Sequence, residues 1–227
     1  MAAHAESGLS NAVQDYAKAI WTLAQRDEHA VSTSAIADRL GVSPASATAM
    51  IKRLEALGLA THEPYRGVRL SPAGERVALE VVRHHRLLEL YLSEALGMPW
   101  DRVHQEAEVL EHAISPELSD LIAAKLGNPT HDPHGDPIPT ANGELFEEPT
   151  RPLAELEPGD AGTFVRVSDA DPAMLRYLSE QGISPGDRFE IVGKQPFGGP
   201  LSVRFGDTEH ALGGGLTHAM RTTALAR

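Results

Sequence analysis

Residues 127–152, GNPTHDPHGDPIPTANGELFEEPTRP, hold six prolines with several glycines and asparagines, and the hydrophobic period changes across them. Before the stretch, apolar residues recur three and four apart, the spacing of a helix face. After it, short strand-like runs alternate with PGD, PFGGP and GGG turns. Proline cannot donate to a helix or a central strand, so this segment reads as a linker or an extended strap rather than a regular element. The chain is therefore expected to be mainly α, with a small β domain behind the strap.

In the first part, SNAVQDYAKAIWTLAQ places Val13, Tyr16, Ala17, Ile20, Trp21 and Leu23 at roughly helical spacing after Ser10 or Asn11. Ser32, Thr33 or Ser34 can cap a short helix that runs to Leu40, and Gly41 breaks it. Ser43 then caps a second helix with Pro44 in its first turn, where the missing N–H costs nothing. Ala47, Met50, Ile51, Leu54 and Leu57 form the expected buried stripe, and Gly58 ends the helix. LATHEPYRGVRLSPAG reads as two short strands around a Tyr65-Arg66-Gly67 tip, a wing. Helix, short turn, helix and β-wing make a winged helix-turn-helix. Its second helix faces outward with small side chains, whereas a merely solvated helix carries more Glu and Lys, and that favours DNA binding.

Ser71-Pro72 starts a long helix to about Leu96, Asp101 is expected to cap another to Ile114, and Ser115-Pro116 opens a third to Leu126. So much apolar surface on so few helices is most cheaply covered by a second copy of the chain. Beyond the strap, strands are expected at Gly162–Val167, Arg188–Val192, Leu201–Phe205 and Leu216–Met220, with one helix at Pro172–Ser179. A small β-barrel of about 70 residues fits that pattern. Pro129–Pro139 is either docked internally or a plain spacer.

The net charge of −12 runs against nucleic-acid binding until the chain is divided. Residues 1–75 carry 7 Lys and Arg against 8 Asp and Glu, and residues 76–227 carry 13 against 24. The acid therefore sits behind the DNA module, where it can serve cations. Cysteine is absent, so disulfides and thiolate-held metal are excluded. No run of 18 apolar residues occurs and no signal peptide is evident at the N-terminus, so the cytoplasm is expected, with no membrane partner.

Candidate ligands crowd into residues 85–112. His85 and Glu89 stand four apart, as do His104, Glu108 and His112 in turn, with Glu111 beside His112. Residues at that spacing share a helix face. One such pair is usually solvated; two on neighbouring helices point to a metal. His84, a quarter turn from His85, is expected to be solvated. Glu108 and Glu111 buried together would repel, and a divalent ion removes the conflict. Carboxylate and imidazole without sulfur favour Mn²⁺, with Fe²⁺ the alternative; Co²⁺ or Zn²⁺ would substitute in vitro by raw affinity. Enzyme signatures are missing: there is no Glu-x-x-His repeat of a di-metal oxidase, phosphate loop, nucleophile elbow or His-Glu-x-x-His. Neither catalysis nor a small-molecule substrate is expected.

DYAKAIW, the helix-turn-helix, RHHRLLE, VHQEAEVLEH and DPHGDPIP, followed by a β-barrel, occur in the order found in the diphtheria-toxin-repressor family. The chain resembles these metal-dependent transcriptional regulators over nearly its whole length, and most of all the actinobacterial manganese transport regulators, which keep a third domain. The resemblance implies a winged helix-turn-helix at 1–74, a helical dimerisation and metal-binding domain at 75–127, a Pro-rich linker at 128–152 and an SH3-like β-barrel at 153–227. It implies a homodimer that represses metal-uptake genes from a palindromic, double-stranded operator when a divalent metal is bound, with an iron-dependent repressor as the alternative. Position by position, the primary site falls on Asp15, Glu108, Glu111 and His112. The ancillary site falls on His85, Glu89 and His104 with Asp171, for which Asp169 is the substitute. Iron-responsive members typically have Met and Cys where this chain has Asp15 and Glu108, which is the case for manganese. Lys18 departs from the paired-metal pattern of short manganese regulators, and Met174 stands where iron-type members offer a glutamine.

On the reading helix, Ser43, Ala45, Ser46, Thr48 and Ala49 are the expected base-facing residues, with Pro44 a further DNA-binding residue, and thymine methyls suit such a surface. Thr33, Ser34, Lys52, Arg53, Tyr65 and Arg66 are expected to meet phosphates.

Overall fold

The computed structural model describes residues 9–25, 30–63 and 66–224 and divides into two compact units. The first comprises the described residues up to His84 together with Pro139–Glu144. It begins with α1 (Asn11–Ala24), α2 (Thr33–Leu40) and α3 (Pro44–Ala56). Local chemistry sets these boundaries. The Ser32 and Ser43 hydroxyls accept the backbone N–H groups of Ala35 and Ser46, and Gly41 turns the chain at φ 64° with the left-handed geometry that closes a helix. Strands β1 (Ala60–Glu63) and β2 (Gly67–Leu70) pair antiparallel as the wing. Val31 and Val68 exchange backbone hydrogen bonds at the wing's root, 2.9 and 2.8 Å long. Val13, Tyr16, Ile20, Ile36, Ile51 and Leu54 fill the core. Leu57 does not belong to the α3 stripe: it lies past the last helical turn and is exposed.

Helix α4 (Pro72–Leu96) follows, and the division between units falls inside it, between His84 and His85. The second unit holds the rest of α4, α5 (Val103–Leu110) and α6 (Pro116–Lys125). Leu87, Leu88, Leu90, Ala107, Ile122 and Ala123 form their shared core, which Ile138 of the strap completes. Asp101 does not cap α5, which starts after Arg102 without a side-chain cap and stops at Leu110 rather than Ile114. The Asp101 carboxylate instead accepts from Arg176 at 3.2 Å. Val109, Leu110, Leu118 and Leu121 remain exposed on α5 and α6. No helix among the described residues is long and apolar enough to cross a membrane.

The strap is packed, and the plain-spacer alternative falls. Asp132, His134 and Ile138 are buried. Asp132 Oδ1 accepts the N–H groups of His134 and Asp136, which closes a tight turn. Arg86 of α4 donates to the Pro137 carbonyl. Gly135, at φ 87°, passes so near the sheet that a Cβ there would sit 1.8 Å from the Val165 carbonyl oxygen.

The remainder is β3 (Arg151–Pro152), β4 (Ala161–Val167), α7 (Pro172–Glu180), β5 (Arg188–Lys194), β6 (Leu201–Phe205), β7 (Thr208–Leu212), α8 (Gly214–Ala219) and β8 (Met220–Ala224). The strands form one antiparallel sheet in the order β3-β8-β4-β5-β6-β7 over a core of Leu153, Phe164, Leu175, Leu178, Ile191 and Val203. Leu216–Met220 is not a strand. Thr217 N–H donates to the Gly213 carbonyl and Thr217 Oγ1 to that of Gly214, so the segment closes a helical turn and the strand begins at Met220. The Val167 N–H donates to the His134 carbonyl at 2.9 Å, which ties β4 to the strap.

Candidate metal centre and DNA-reading helix

Helix α4 sets His85 and Glu89 one turn apart on its buried face, with His85 Nε2 3.0 Å from Glu89 Oε1. Helix α5 brings His104 to the same place: its Nδ1 lies 3.1 Å from His85 Nε2 and 3.2 Å from Glu89 Oε1. The fourth donor comes from the loop after β4, where Asp169 Oδ2 approaches His104 Nδ1 at 2.9 Å. Ligand atoms of His85, Glu89, His104 and Asp169 all lie within 4.8 Å of one another. Asp171 has no place in this group. Its carboxylate caps α7 by accepting the Ala173 N–H at 2.9 Å, and that local bond holds it away.

Glu111, just past the end of α5, turns its carboxylate inward to the other ring nitrogen of His85, and His112 Nε2 lies 3.5 Å from Glu111 Oε1. Glu108 is half exposed, with Oε1 3.8 Å from His85 Nδ1. His85, Glu108 and Glu111 thus form a second group of converging donors. Asp15 stands on α1 in the first unit, half-buried. His84 is not solvated; it is buried.

Spacing along the helices missed a third group, Glu89 with Asp132 and His134 of the strap. Its signal was the acid and imidazole two apart in DPHGDPIP, which a reading of helix faces does not reach. His134 Nε2 lies 2.8 Å from the Trp100 carbonyl, while its buried Nδ1 has no hydrogen-bond partner and faces Glu89 Oε2 at 3.7 Å.

Charge balance explains how these carboxylates tolerate burial. Burial pushes the Glu89 carboxyl up, but His85, His104 and His134 more than reverse this and hold it well below the usual range. The hydrogen bond to Asp169, then that to Glu89, lifts His104 to about 10. Burial works against protonating His134, yet Glu89, Asp132 and the Trp100 carbonyl carry it to about 9. Burial, aided by the Glu89 charge, raises Asp132 well above its ordinary value. Protons on imidazoles are doing here what a divalent cation does better. Buried carboxylates, converging imidazoles and an orphaned ring nitrogen fit a metal ion.

A pH dependence follows. His104 and His134 are protonated at neutral pH, so ligation must expel their protons, and affinity for a divalent ion should rise with pH until about 9 to 10. Their contribution to the metal-free fold is fully present below about 6.5 and lost as pH rises through those raised values. Calorimetric titration with Mn²⁺ at pH 7 in buffers of different ionisation enthalpy should show proton release. Heats independent of the buffer would contradict this.

In the first unit, Ser43, Pro44, Ala45, Ser46, Thr48, Ala49, Lys52 and Arg53 are all exposed on α3. Their hydroxyls are already engaged: the Ser43 and Ser46 oxygens lie 2.9 Å apart, and Thr48 Oγ1 donates to the Pro44 carbonyl at 2.8 Å. The outward surface is thus rich in methyl groups, suited to thymine. Ser34 Oγ lies 3.1 Å from Ser32 Oγ, and Thr33 is half-buried in the first turn of α2. Arg66 is exposed and paired with Glu63 at 3.2 Å; Tyr65 lies outside the described residues. One positioning contact was not visible in the sequence. Glu55 Oε1 accepts the His62 N–H at 2.9 Å and joins the reading helix to the wing, although an acid there looks like ordinary surface charge.

Comparison with known proteins agrees with this geometry. Residues 8–68 match the iron dependent repressor N-terminal DNA binding domain, residues 71–140 the iron dependent repressor metal binding and dimerisation domain, and residues 151–221 the FeoA domain. The iron-dependent repressor IdeR of Mycobacterium tuberculosis (strain H37Rv) is 30% identical over 206 residues, covering 82% of this chain and 86% of the relative. A solved structure described as a manganese-dependent transcriptional repressor in complex with manganese is 44% identical, with TM-score 0.86, covering 94% of this chain and all of that one. ScaR with bound Zn²⁺ is 29% identical, with TM-score 0.75, covering 93% and 98%. Fold and site therefore define a metal-dependent transcriptional repressor, a DNA-binding regulator and not an enzyme. The chain belongs to the iron-dependent repressor family, that of the diphtheria toxin repressor. Its partners are operator DNA and a second copy of itself, and the exposed apolar residues of α5 and α6 lie within the matched dimerisation domain.

Proposed function

We propose that this repressor responds to manganese and silences metal-uptake genes from the cytoplasm. The primary ligands are Asp15, Glu108, Glu111 and His112, and the ancillary ligands His85, Glu89 and His104 with Asp169, supported by Asp132 and His134 around Glu89. The donor chemistry carries the reading: every candidate is a carboxylate or an imidazole, and the chain has no cysteine. Such a set suits a hard divalent ion. The neighbour at 44% identity, named as manganese-dependent, supports it.

When bound, the cation supplies positive charge at buried carboxylates. Asp15 belongs to the DNA-reading part and Glu108, Glu111 and His112 to the dimerising part, so joint ligation fixes the spacing of two reading helices across the dimer. A palindromic operator rewards that spacing, because its half-sites present the major groove at whole-turn intervals. Lys52, Arg53 and Arg66 meet phosphates, while the methyl-rich face of α3 meets bases.

Relatives named as iron-dependent, at about 30% identity, favour a second reading, activation by Fe²⁺. Gel-shift titrations of the chain's own upstream DNA with Mn²⁺, and with Fe²⁺ under anaerobic conditions, separate the two. Manganese is expected to activate at micromolar levels, and the pair Asp15→Met with Glu108→Cys to move the preference towards iron. Activation of the unaltered chain by iron alone would overturn the assignment.

A further inference from the structure

Helix α3 ends on an acid that its surroundings do not favour. Glu55 is the last residue but one of the helix, where the carbonyl end of the backbone dipole opposes negative charge. It also belongs to the domain that must approach phosphates. Among the described residues it forms no ion pair, and its carboxylate accepts the His62 N–H of β1 at 2.9 Å. We propose that Glu55 is a positioning residue for DNA binding, holding the wing against the reading helix at the setting from which Arg66 reaches a phosphate. The proposal rests on the reading just given, that the wing meets phosphates, and deepens it.

Strand pairing leaves that N–H for Glu55. Val68 donates its N–H to the Val31 carbonyl at 2.8 Å and accepts the Val31 N–H at 2.9 Å, so both of its backbone groups point away from β1. His62 stands opposite Val68, and theirs is therefore the kind of antiparallel pair that exchanges no backbone hydrogen bonds. The His62 N–H projects instead from the outer edge of β1, where the two-stranded sheet offers it no partner strand. Glu55 takes it from the neighbouring helix. One rung of the ribbon is thus gripped from both sides, by the Val31 backbone on β2 and by the Glu55 side chain on β1. Lower down, the Leu59 N–H donates to the Leu54 carbonyl and the Ser71 N–H to the Leu59 carbonyl, both at 2.9 Å, which fixes where the strands leave the core. Those bonds do not set how the ribbon leans, since a two-stranded ribbon twists readily and has little stability of its own. Released on the β1 side, the ribbon turns about the Val31 bridge and carries Arg66 off its setting.

Two neutral variants separate the bond from the charge. Glu55→Gln keeps an oxygen that accepts from His62; Glu55→Ala does not, and alanine suits a helix. Anisotropy titrations of the chain's own upstream DNA, with Mn²⁺ saturating, are run across a salt series. Glu55→Gln should bind at least as tightly as the unaltered protein, because a negative charge beside phosphates has gone. Glu55→Ala should bind about 3- to 10-fold more weakly than Glu55→Gln, the net effect of one hydrogen bond. Its slope of log affinity against log salt should be shallower by about 0.9, the share of one phosphate contact, which a general loss of fold would not single out. Without DNA, deuterium exchange of the wing amides should quicken in Glu55→Ala and not in Glu55→Gln. Equal affinities and slopes for the two variants overturn the proposal. A loss in Glu55→Ala at unchanged slope also overturns it, since the fault then lies in the reading helix and not in the wing. Arg66→Ala checks the underlying reading by itself. A slope shallower by about 0.9 supports the phosphate contact, which then stands even where the Glu55 variants behave alike. Unchanged affinity and slope in Arg66→Ala remove the contact and the positioning role together.

Discussion

Replacing Glu111 with glutamine should weaken metal-dependent operator binding by about 5- to 150-fold, the range expected when one allosteric coupling is removed. The substitution keeps the volume and an oxygen that can accept from His85, and removes only the charge. Glu111 is buried beside His85 and His112, so its charge is costly unless a cation answers it. Two consequences separate a switch from a fold defect. The metal-free variant should melt within about 2 °C of the unaltered protein, because the amide keeps the volume and an oxygen that accepts from His85. Its dimer mass should be unchanged, because the exposed apolar residues of α5 and α6 are untouched. Fluorescence anisotropy of a labelled operator across a Mn²⁺ titration reads the loss. A midpoint shifted by less than about twofold would contradict the role given to Glu111, since coupling energies of this kind are seldom so small.

The second large effect concerns the strap. Gly135→Ala should destabilise the second unit by about 3 kcal/mol, from a left-handed backbone and a clash with a neighbouring carbonyl acting together. At φ 87° an alanine is strained anywhere, and here its Cβ would meet the Val165 oxygen at 1.8 Å. Either the β4 backbone moves or the turn lifts away. In both cases the His134 carbonyl loses its bond from Val167, and the buried pair Asp132 and His134 leaves Glu89. For a unit of this size the melting temperature should fall by roughly 6 to 12 °C. Differential scanning calorimetry with and without Mn²⁺ measures this. A transition within about 1 °C of the unaltered protein would show that the strap is not packed as described.

The sequence disclosed most where structure is local. Ser43 and Ser115 announced two helix starts, and Ser32, Thr33 or Ser34 a third that the structure gives to Ser32, because a hydroxyl bonding an N–H three residues on is written within a few positions. His85, Glu89 and His104 were legible for a similar reason: helix periodicity alone puts His85 and Glu89 on one face, and a second histidine of the same kind stands on the next helix. Contacts decided elsewhere in the chain were not legible. Asp169 and Asp171 are both acids in one loop, and only the α7 cap, which takes Asp171, distinguishes them. Asp101 looked like a cap, but Arg176, distant in sequence, holds it. His84 was expected in solvent because it points about a quarter turn away from His85, whereas the structure buries it. The alternation in Leu216–Met220 suggested a strand until carbonyls of the preceding glycines closed the turn. The strap misled most: its prolines fit a spacer equally well, and only its seat between Arg86 and β4 shows that it carries Asp132 and His134 into the buried cluster.

Trp100 gives the barrel a standing its position in the chain does not suggest. The indole N–H donates to the Leu175 carbonyl at 3.1 Å, its ring stacks on His134, and its own carbonyl meets His134 Nε2. One aromatic residue in a bend between helices thus fastens the third domain, the proline segment and the ligand cluster at a common rivet. A shorter descendant of this gene, shorn of its barrel, would inherit more than a missing carboxylate; it would have to find a new electrostatic settlement for Glu89 before it could sense any ion at that position.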